Sequence, residues 1–298
     1  MQKLLSRKST IICFLLPAVL IYSVSVILPI IWSGYYSLFN WNGFGAMKFI
    51  GLRNFERMST DSEMWATVIR TFGFSVWQIF LQVGGGLALA VLLTKMGKVN
   101  KVFRTLYYLP VIISSVALCQ MFKKIFAVTP IGLFNELLSI INPAWASLEW
   151  LSNPNTSLGM VIMTTAYKNM PIYMLIFYSA FLTVPASLTE AAIIDGANSW
   201  QTFYHIKLPH IAPTIFTNVI LVLNGSLRTY DIPRLLTNGG PIGSSQTQAL
   251  YMYKQAFTSQ KYGYGSAIAV FIVIESLILA LIVRGFEWRS RKEGGIKS

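Results

Sequence analysis

Cysteine, histidine and charge are all scarce in this chain. Its two cysteines, Cys13 and Cys119, both fall inside apolar stretches and make neither a disulfide framework nor a thiolate metal site. Two histidines, His205 and His210, are too few for an imidazole metal cluster, so no metal and no cofactor is expected in the chain itself. Charged side chains make up 12% of the 298 residues, against roughly a quarter in a soluble domain, which excludes an ordinary water-soluble enzyme. The phosphate-cradling pattern G-x-x-x-x-G-K-[ST] is missing as well. Gly84-Gly85-Gly86 is not a substitute, because it sits among apolar residues with no Lys-Ser/Thr behind it, and close helix packing explains it better. A Ser-His-Asp hydrolase would have to draw partners from inside the bilayer and from loops on opposite sides of it.

What is abundant is apolar surface. Hydrophobic residues are 54% of the chain, 41 residues are aromatic (19 Phe, 14 Tyr, 8 Trp), and mean hydropathy is +0.55. A spanning helix needs about 20 apolar residues in succession. Six stretches qualify, at 11–38, 68–94, 104–126, 158–183, 213–230 and 266–286. The first follows Lys3, Arg7 and Lys8 and has the flank of a signal peptide, but it runs on past 20 residues without a small-residue cleavage site and reads as a retained span. The fifth is interrupted by Asn218, Asn224 and Arg228, as a helix lining a polar pathway would be. The expected architecture is all-α, six spans in a single membrane domain covering 1–298, contacting lipid and no nucleic acid.

The net charge of +13 is asymmetric. With the N-terminus inside, the segments 1–10, 95–104, 184–212 and 284–298 carry 13 Lys or Arg in 64 positions; the outer segments carry 10 in 105. The positive-inside rule therefore puts both termini in the cytoplasm. Outer turns are expected at Trp41-Asn42-Gly43, Asn142-Pro143, Asn153-Pro154 and Asn238-Gly239-Gly240-Pro241.

The inner segment 185–209 holds the densest local signals. Ser187 with Glu190 three residues later predicts a capping box opening a short helix, and Gly196 suits its left-handed end. Ser199 is then expected to cap a second short helix that stops at Leu208-Pro209. Ala191 and Ala192 make one side of the first helix small, Glu190 and Asp195 make it acidic, and Ile193 and Ile194 are available for packing. On pattern alone, an interfacial helix closing a loop is a better reading than a docking element.

Glu190-Ala191-Ala192, Gly196 four residues on, and then Ile206-x-Leu208-Pro209 resemble the EAA signature of the membrane-spanning permease subunits of binding-protein-dependent ABC importers. Tyr167-Lys168-Asn169-Met170-Pro171, Asp195-Gly196-Ala197 and Pro213 are similar to the carbohydrate branch, of maltose, multiple-sugar and glycerol-3-phosphate type. So are Leu16-Pro17, Pro29, the run from Phe49 to Phe55, Thr237 to Pro241, and Tyr262-Gly263-x-Gly265-x-Ala267-Ile268-Ala269. The resemblance covers essentially the whole chain. It implies the type I importer permease fold in a bacterial cytoplasmic membrane, and 185–209 as the coupling helix that sits in a cleft of the ATPase. Glu190 would be the acidic contact, Ala191 and Ala192 would allow close approach, Gly196 would make the turn, and Asp195, Leu208 and Pro209 complete the motif. The implied partners are a second homologous permease, two ATPase subunits binding ATP and Mg, and an extracytoplasmic solute-binding protein; the implied cargo is an oligosaccharide. A glycerophosphodiester or another polar solute is the alternative cargo, and an ion-coupled carrier or a membrane-embedded enzyme the alternative class.

Lys168 and Glu275 fall near mid-span in the fourth and sixth stretches, where a lone charge costs several kcal/mol unless paired or wet. They either neutralise each other or face a cavity. Lys168, Asn169, Asn218 and Asn224 are the candidate solute-path residues, although hydrogen bonding between helices is the commoner use of such asparagines, and Pro171 is expected to break the fourth helix and open its carbonyls to a cavity. Trp77, Tyr167, Tyr173 and Tyr178 offer rings for sugar stacking, though an aromatic in a span more often serves packing or as an interface anchor.

Overall fold

The computed structural model describes residues 8–293; Lys3, Arg7 and the final basic run, on which the orientation of the termini rests, lie partly outside them. Apart from a two-residue antiparallel pair, β1 (Phe39–Asn40) with β2 (Lys48–Phe49), the ordered elements are helices. Four of them are long and apolar enough to cross a membrane: Phe14–Tyr36, Ser62–Lys95, Ser199–Leu227 and Tyr262–Arg289. Two bent pairs bring the total to six. The chain divides into two compact units, residues up to Met64 with Tyr251–Ile274, and Trp65–Leu250 with the remainder of the last helix.

In the first unit, α1 (Lys8–Tyr22) and α2 (Leu28–Tyr36) are joined by a π turn, and the apolar span Phe14–Tyr36 buries none of its length within the chain. Such a helix is dressed by lipid or by another subunit. Below it the small β pair is held by α3 (Arg53–Thr60): the Asn54 amide donates to the carbonyls of Ser37 (2.7 Å) and Phe39 (3.0 Å). Gly263 donates its N–H to the Trp41 carbonyl, and a Cβ there would stand 2.0 Å from the Phe39 oxygen, so only glycine fits. The family-like residues around Asn54 and Gly263 are thus building parts of this unit.

Asp61 caps α4 (Ser62–Gln78) with the amides of Glu63 and Met64, and its other oxygen accepts from Tyr251 (2.7 Å) and Tyr264 (2.6 Å). Burial alone would push this carboxyl up; the four hydrogen bonds outweigh it and hold the group below the usual carboxylate range.

The second unit has two apolar cores. One joins α5 (Gly85–Lys95) to α9 (Ser157–Leu182) and α12 (Leu208–Leu227), around Val83, Leu93, Met174, Phe177, Ile211 and Val222. Here the glycine run does what the packing reading expects. A Cβ on Gly86 would lie 3.0 Å from the Met174 nitrogen and the Tyr173 Cβ, and one on Gly85 would strike the Met170 side chain. Phe74, Cys119, Val161, Ile162 and Ile232 form the other core.

Two expectations about continuity fail in opposite directions. The stretch 104–126 is not one helix: α6 (Asn100–Ile112) and α7 (Ser115–Ile125) meet at 96°, because Ile113 and Ser114 are extended and the Ser114 hydroxyl caps α7 by accepting from the Ala117 amide. Conversely, Pro171 does not break the fourth span. α9 runs unbroken through it, since a buried proline inside a packed bundle removes one hydrogen bond, that of the Tyr167 carbonyl, without unwinding its neighbours.

Candidate functional site

The elbow between the fourth and fifth spans is made by α10 (Ala186–Ile194), α11 (Ser199–Thr202) and the turn between them. α9 and α10 meet at 68°. The capping box read from Ser187 and Glu190 is not formed. Pro185, with φ fixed near −59°, is itself the N-cap, which places Ser187 inside the first turn where its hydroxyl cannot serve as a cap. Nor does Ser199 cap the next helix. Asn198 does, accepting from the Gln201 amide at 2.9 Å while the Gln201 side chain accepts the Asn198 N–H at 2.8 Å. A capping box thus opens the second helix, one residue before the expected Ser199 cap, where no box was expected, and it is built from an amide pair.

Gly196 has φ +84°, the left-handed conformation expected of it. Its amide donates to Ile193 and that of Ala197 to Ala192, the two bonds of a Schellman ending. The chain after Asn198 does not stop at Leu208-Pro209. A π turn, Phe203–Lys207, carries α11 directly into α12, and Pro209 falls in the first turn of α12, where the wider π pitch and the start of a new helical register accommodate its missing N–H. From Ser199 to Leu227 the polypeptide is one apolar helix.

On the elbow surface Glu190, Ala191, Asp195, Gly196 and Pro209 are exposed and Leu208 half-buried. The small side is reversed from expectation: Ala192 is turned into the chain, whereas Ile193 and Ile194 point outward, Ile194 at 85% exposure. Trp200, 70% exposed, stands beside them in sequence and stacks on Tyr204. Within the elbow a recess of about 290 Å³ is lined by Asp195, Gly196, Gln201, Thr202 and His205. An exposed acidic and aliphatic knob with a rigid turn is a shape for insertion into another protein.

A second cavity, about 260 Å³, lies within the helices of the same unit. Lys168 and Asn169 on α9 line it, as expected of solute-path residues. Asn218 and Asn224 do not. Asn218 is fully buried without a hydrogen-bond partner for its amide, and Asn224 donates back to the Ile220 carbonyl of its own helix. The rest of the lining was not singled out in the sequence: Ser115 from the break between α6 and α7, Thr165, and Arg228, Thr229, Tyr230 and Asp231 at the junction of α12 with α13 (Asp231–Leu236). Only Arg228 carried a signal, as an interruption of the fifth stretch.

Lys168 and Glu275 do not neutralise each other. The Lys168 ammonium donates to the Ser115 hydroxyl, and Glu275 keeps its Oε2 buried with no partner among the described residues. Trp77, Tyr167, Tyr173 and Tyr178 all lie outside the cavity lining; Tyr178 is core, accepting from the Asn100 amide at 2.9 Å, and Tyr167 packs on Phe122. Packing is their use here, and the ring at the cavity is Tyr230.

Residues 82–292 match the family described as binding-protein-dependent transport system inner membrane component. The chain belongs to this family of ABC importer permeases. Over 283 residues the permease is 33% identical to the probable ABC transporter permease protein YurN of Bacillus subtilis, covering 94% of this chain and 96% of that one. It is 32% identical to the probable starch degradation products transport system permease protein AmyD of Thermoanaerobacterium thermosulfurigenes, over 90% of each. The fold is that of a permease chain in a bacterial ABC transporter importing the acidic polysaccharide alginate, with a TM-score of 0.81 at 20% identity over 97% of this chain and 98% of that one. The permease is therefore a multi-pass membrane protein, and the type I importer fold expected from the EAA-like segment is the fold observed.

Proposed function

We propose that the permease carries a saccharide inward as half of a pore, by alternating access, with the elbow as its coupling element. The observation that carries this reading is the elbow itself: an exposed Glu190, Ile193 and Ile194 on a helix closed by Gly196, continuous with a membrane span. A force applied there is transmitted through a rigid helix. Two ATPase subunits binding ATP and Mg dock on it in this scheme, a second homologous permease completes the pore, and a solute-binding protein delivers cargo outside. Relatives support the cargo class: one is a trehalose/maltose transport system permease of Thermococcus litoralis, another an arabinooligosaccharides transport system permease of Bacillus subtilis. A structural neighbour was determined with an alginate-pentasaccharide-bound periplasmic protein, which supports the binding-protein partner. The cavity at Lys168 and Asn169 is smaller than the ~300–1,000 Å³ of complete ligand pockets, as suits one half of a site shared with a second permease. ATP drives the cycle only through partners that bind the two states of the pore differently.

The test is uptake into proteoliposomes holding the whole assembly. Saccharide accumulation that needs ATP and the binding protein, and stops with vanadate, is expected; accumulation driven by an ion gradient without ATPase subunits overturns the reading. For orientation, single cysteines at Asn153 and Asn238, in a background lacking Cys13 and Cys119, are expected to label from outside intact cells, and one at Ser199 only after permeabilisation.

A further inference from the structure

The cavity beside α9 is unbalanced in charge. Lys168 and Arg228 line it, opposed by a single carboxylate, Asp231, and among the described residues neither cation forms a salt bridge with that carboxylate. Asp231 has a sufficient reason of its own to be there, since it opens α13 and a carboxylate is favourable in the first turn of a helix. Arg228 closes α12, where a cation is likewise favourable. Lys168 has no such local reason. It stands in the middle of a 26-residue helix in the membrane, with one neutral partner, the Ser115 hydroxyl, for an ammonium that has three N–H donors. A single neutral hydroxyl leaves most of the donor capacity of that mid-span ammonium for whatever enters the cavity. Glu275, the mid-span carboxylate of the last helix, is not in the cavity lining.

Around the two cations the lining is what a sugar ring requires. Thr165, Asn169, Thr229 and Tyr230 supply donors and acceptors for hydroxyls, and Tyr230 also offers a ring face. An ammonium and a guanidinium converging on a small polar cavity recognise an anion, the guanidinium in two-point fashion. We infer that the solute accommodated here is an acidic saccharide, one bearing a carboxylate that Lys168 and Arg228 bind together while the neutral lining holds the sugar hydroxyls. This rests on the cavity being part of the solute path.

The test is direct binding to the purified assembly of this permease with its partner permease and ATPases, without the solute-binding protein, so that selection by that protein does not enter. Three probes are compared by equilibrium dialysis: tetragalacturonate, neutral galactotetraose and glycerophosphoglycerol. Wild type is expected to bind tetragalacturonate about tenfold or more tighter than galactotetraose, with the difference shrinking in molar salt. Lys168→Met and Arg228→Gln should each weaken tetragalacturonate about tenfold more than they weaken galactotetraose, and Lys168→Arg should keep most of the preference. Equal affinity for the two tetramers overturns the inference, as do variants that weaken both alike, or glycerophosphoglycerol binding in preference to either sugar. Failure of the underlying function looks different: with galactotetraose preferred and taken up under ATP, only the acidic-solute inference falls, whereas no binding and no ATP-driven uptake of either tetramer removes the saccharide permease reading itself.

Discussion

The elbow and the cavity lie in the same compact unit and obey different rules of construction. Everything that shapes the elbow lies between Pro185 and Pro209, in contiguous sequence: a proline N-cap, a left-handed glycine, an Asn-Gln box and a π turn. The cavity draws on Ser115, Thr165 to Asn169 and Gly225 to Ile232, brought together only by the packing of α9 with its neighbours. One is specified by backbone hydrogen bonds and survives changes in side chains that do not touch them. The other is specified by tertiary packing, so its chemistry is set by single side chains.

The largest effect should come from reversing charge on the elbow. Glu190→Lys is expected to abolish ATP-driven uptake and co-purification of the ATPases while the permease still inserts and the cavity still binds solute; normal transport by this variant would remove the elbow's role. Gly196→Val should approach the same phenotype by another route, because a β-branched residue at positive φ costs on the order of 1–3 kcal/mol and the turn would reopen.

Next in size are the buried charges. Lys168→Met should weaken acidic solute about tenfold and leave assembly intact. Because Lys168 bonds to Ser115 and not to Glu275, adding Glu275→Gln should give no rescue. Glu275→Gln alone should leave the melting temperature of the detergent-solubilised assembly unchanged or raised, since it replaces a carboxylate whose buried Oε2 has no partner among the described residues by a neutral group of the same shape. A double variant restored towards wild type would show that the two charges meet after all.

A smaller effect separates cap from surface. Asn198→Ala removes the box that opens α11 and should cost about 1 kcal/mol, read as a modest drop in melting temperature, while Ser199→Ala, at the position first expected to cap, should be near neutral. The smallest lies outside both regions. Asp61 is held below its ordinary value, so its share of stability is present above about pH 4 and lost as pH falls through the lowered native value; wild type should lose more melting temperature on acidification than Asp61→Asn.

What the sequence disclosed follows the same division. Span number, the Gly196 ending and the tight packing at Gly85 and Gly86, though not at Gly84, were legible, because each follows from a residue's own conformational limits or from an apolar run. The capping residues were misplaced by two positions at the first helix of the elbow and by one at the second, since Pro185 and Asn198 compete locally with Ser187 and Ser199 and the winner depends on where the first turn falls. Prolines misled twice. Pro171 and Pro209 sit inside continuous helices that packing and a π turn sustain, whereas the true break at Ile113–Ser114 has a serine cap and comes three residues after Pro110, which itself lies within the preceding helix. Asn218 was read as solute-facing for its polarity and is buried against its neighbours, while Tyr230 and Asp231, just past the fifth span, carried no periodic signal at all.

The uninterrupted passage from α11 through the π turn into α12 has a mechanical meaning. Twenty-nine residues from Ser199 to Leu227 make a rod about 44 Å long at 1.5 Å per residue. Its near end is the Asn198 cap; its far end is Arg228, at the cavity wall. A tilt of only about 5° at the elbow displaces the guanidinium end of such a rod by about 4 Å, enough to take one cation out of hydrogen-bonding reach of an anion that the other still holds. In the proposed scheme, where the elbow is the ATPase contact and the cavity holds the solute, a small rotation at the elbow would become a weakening of grip at the solute.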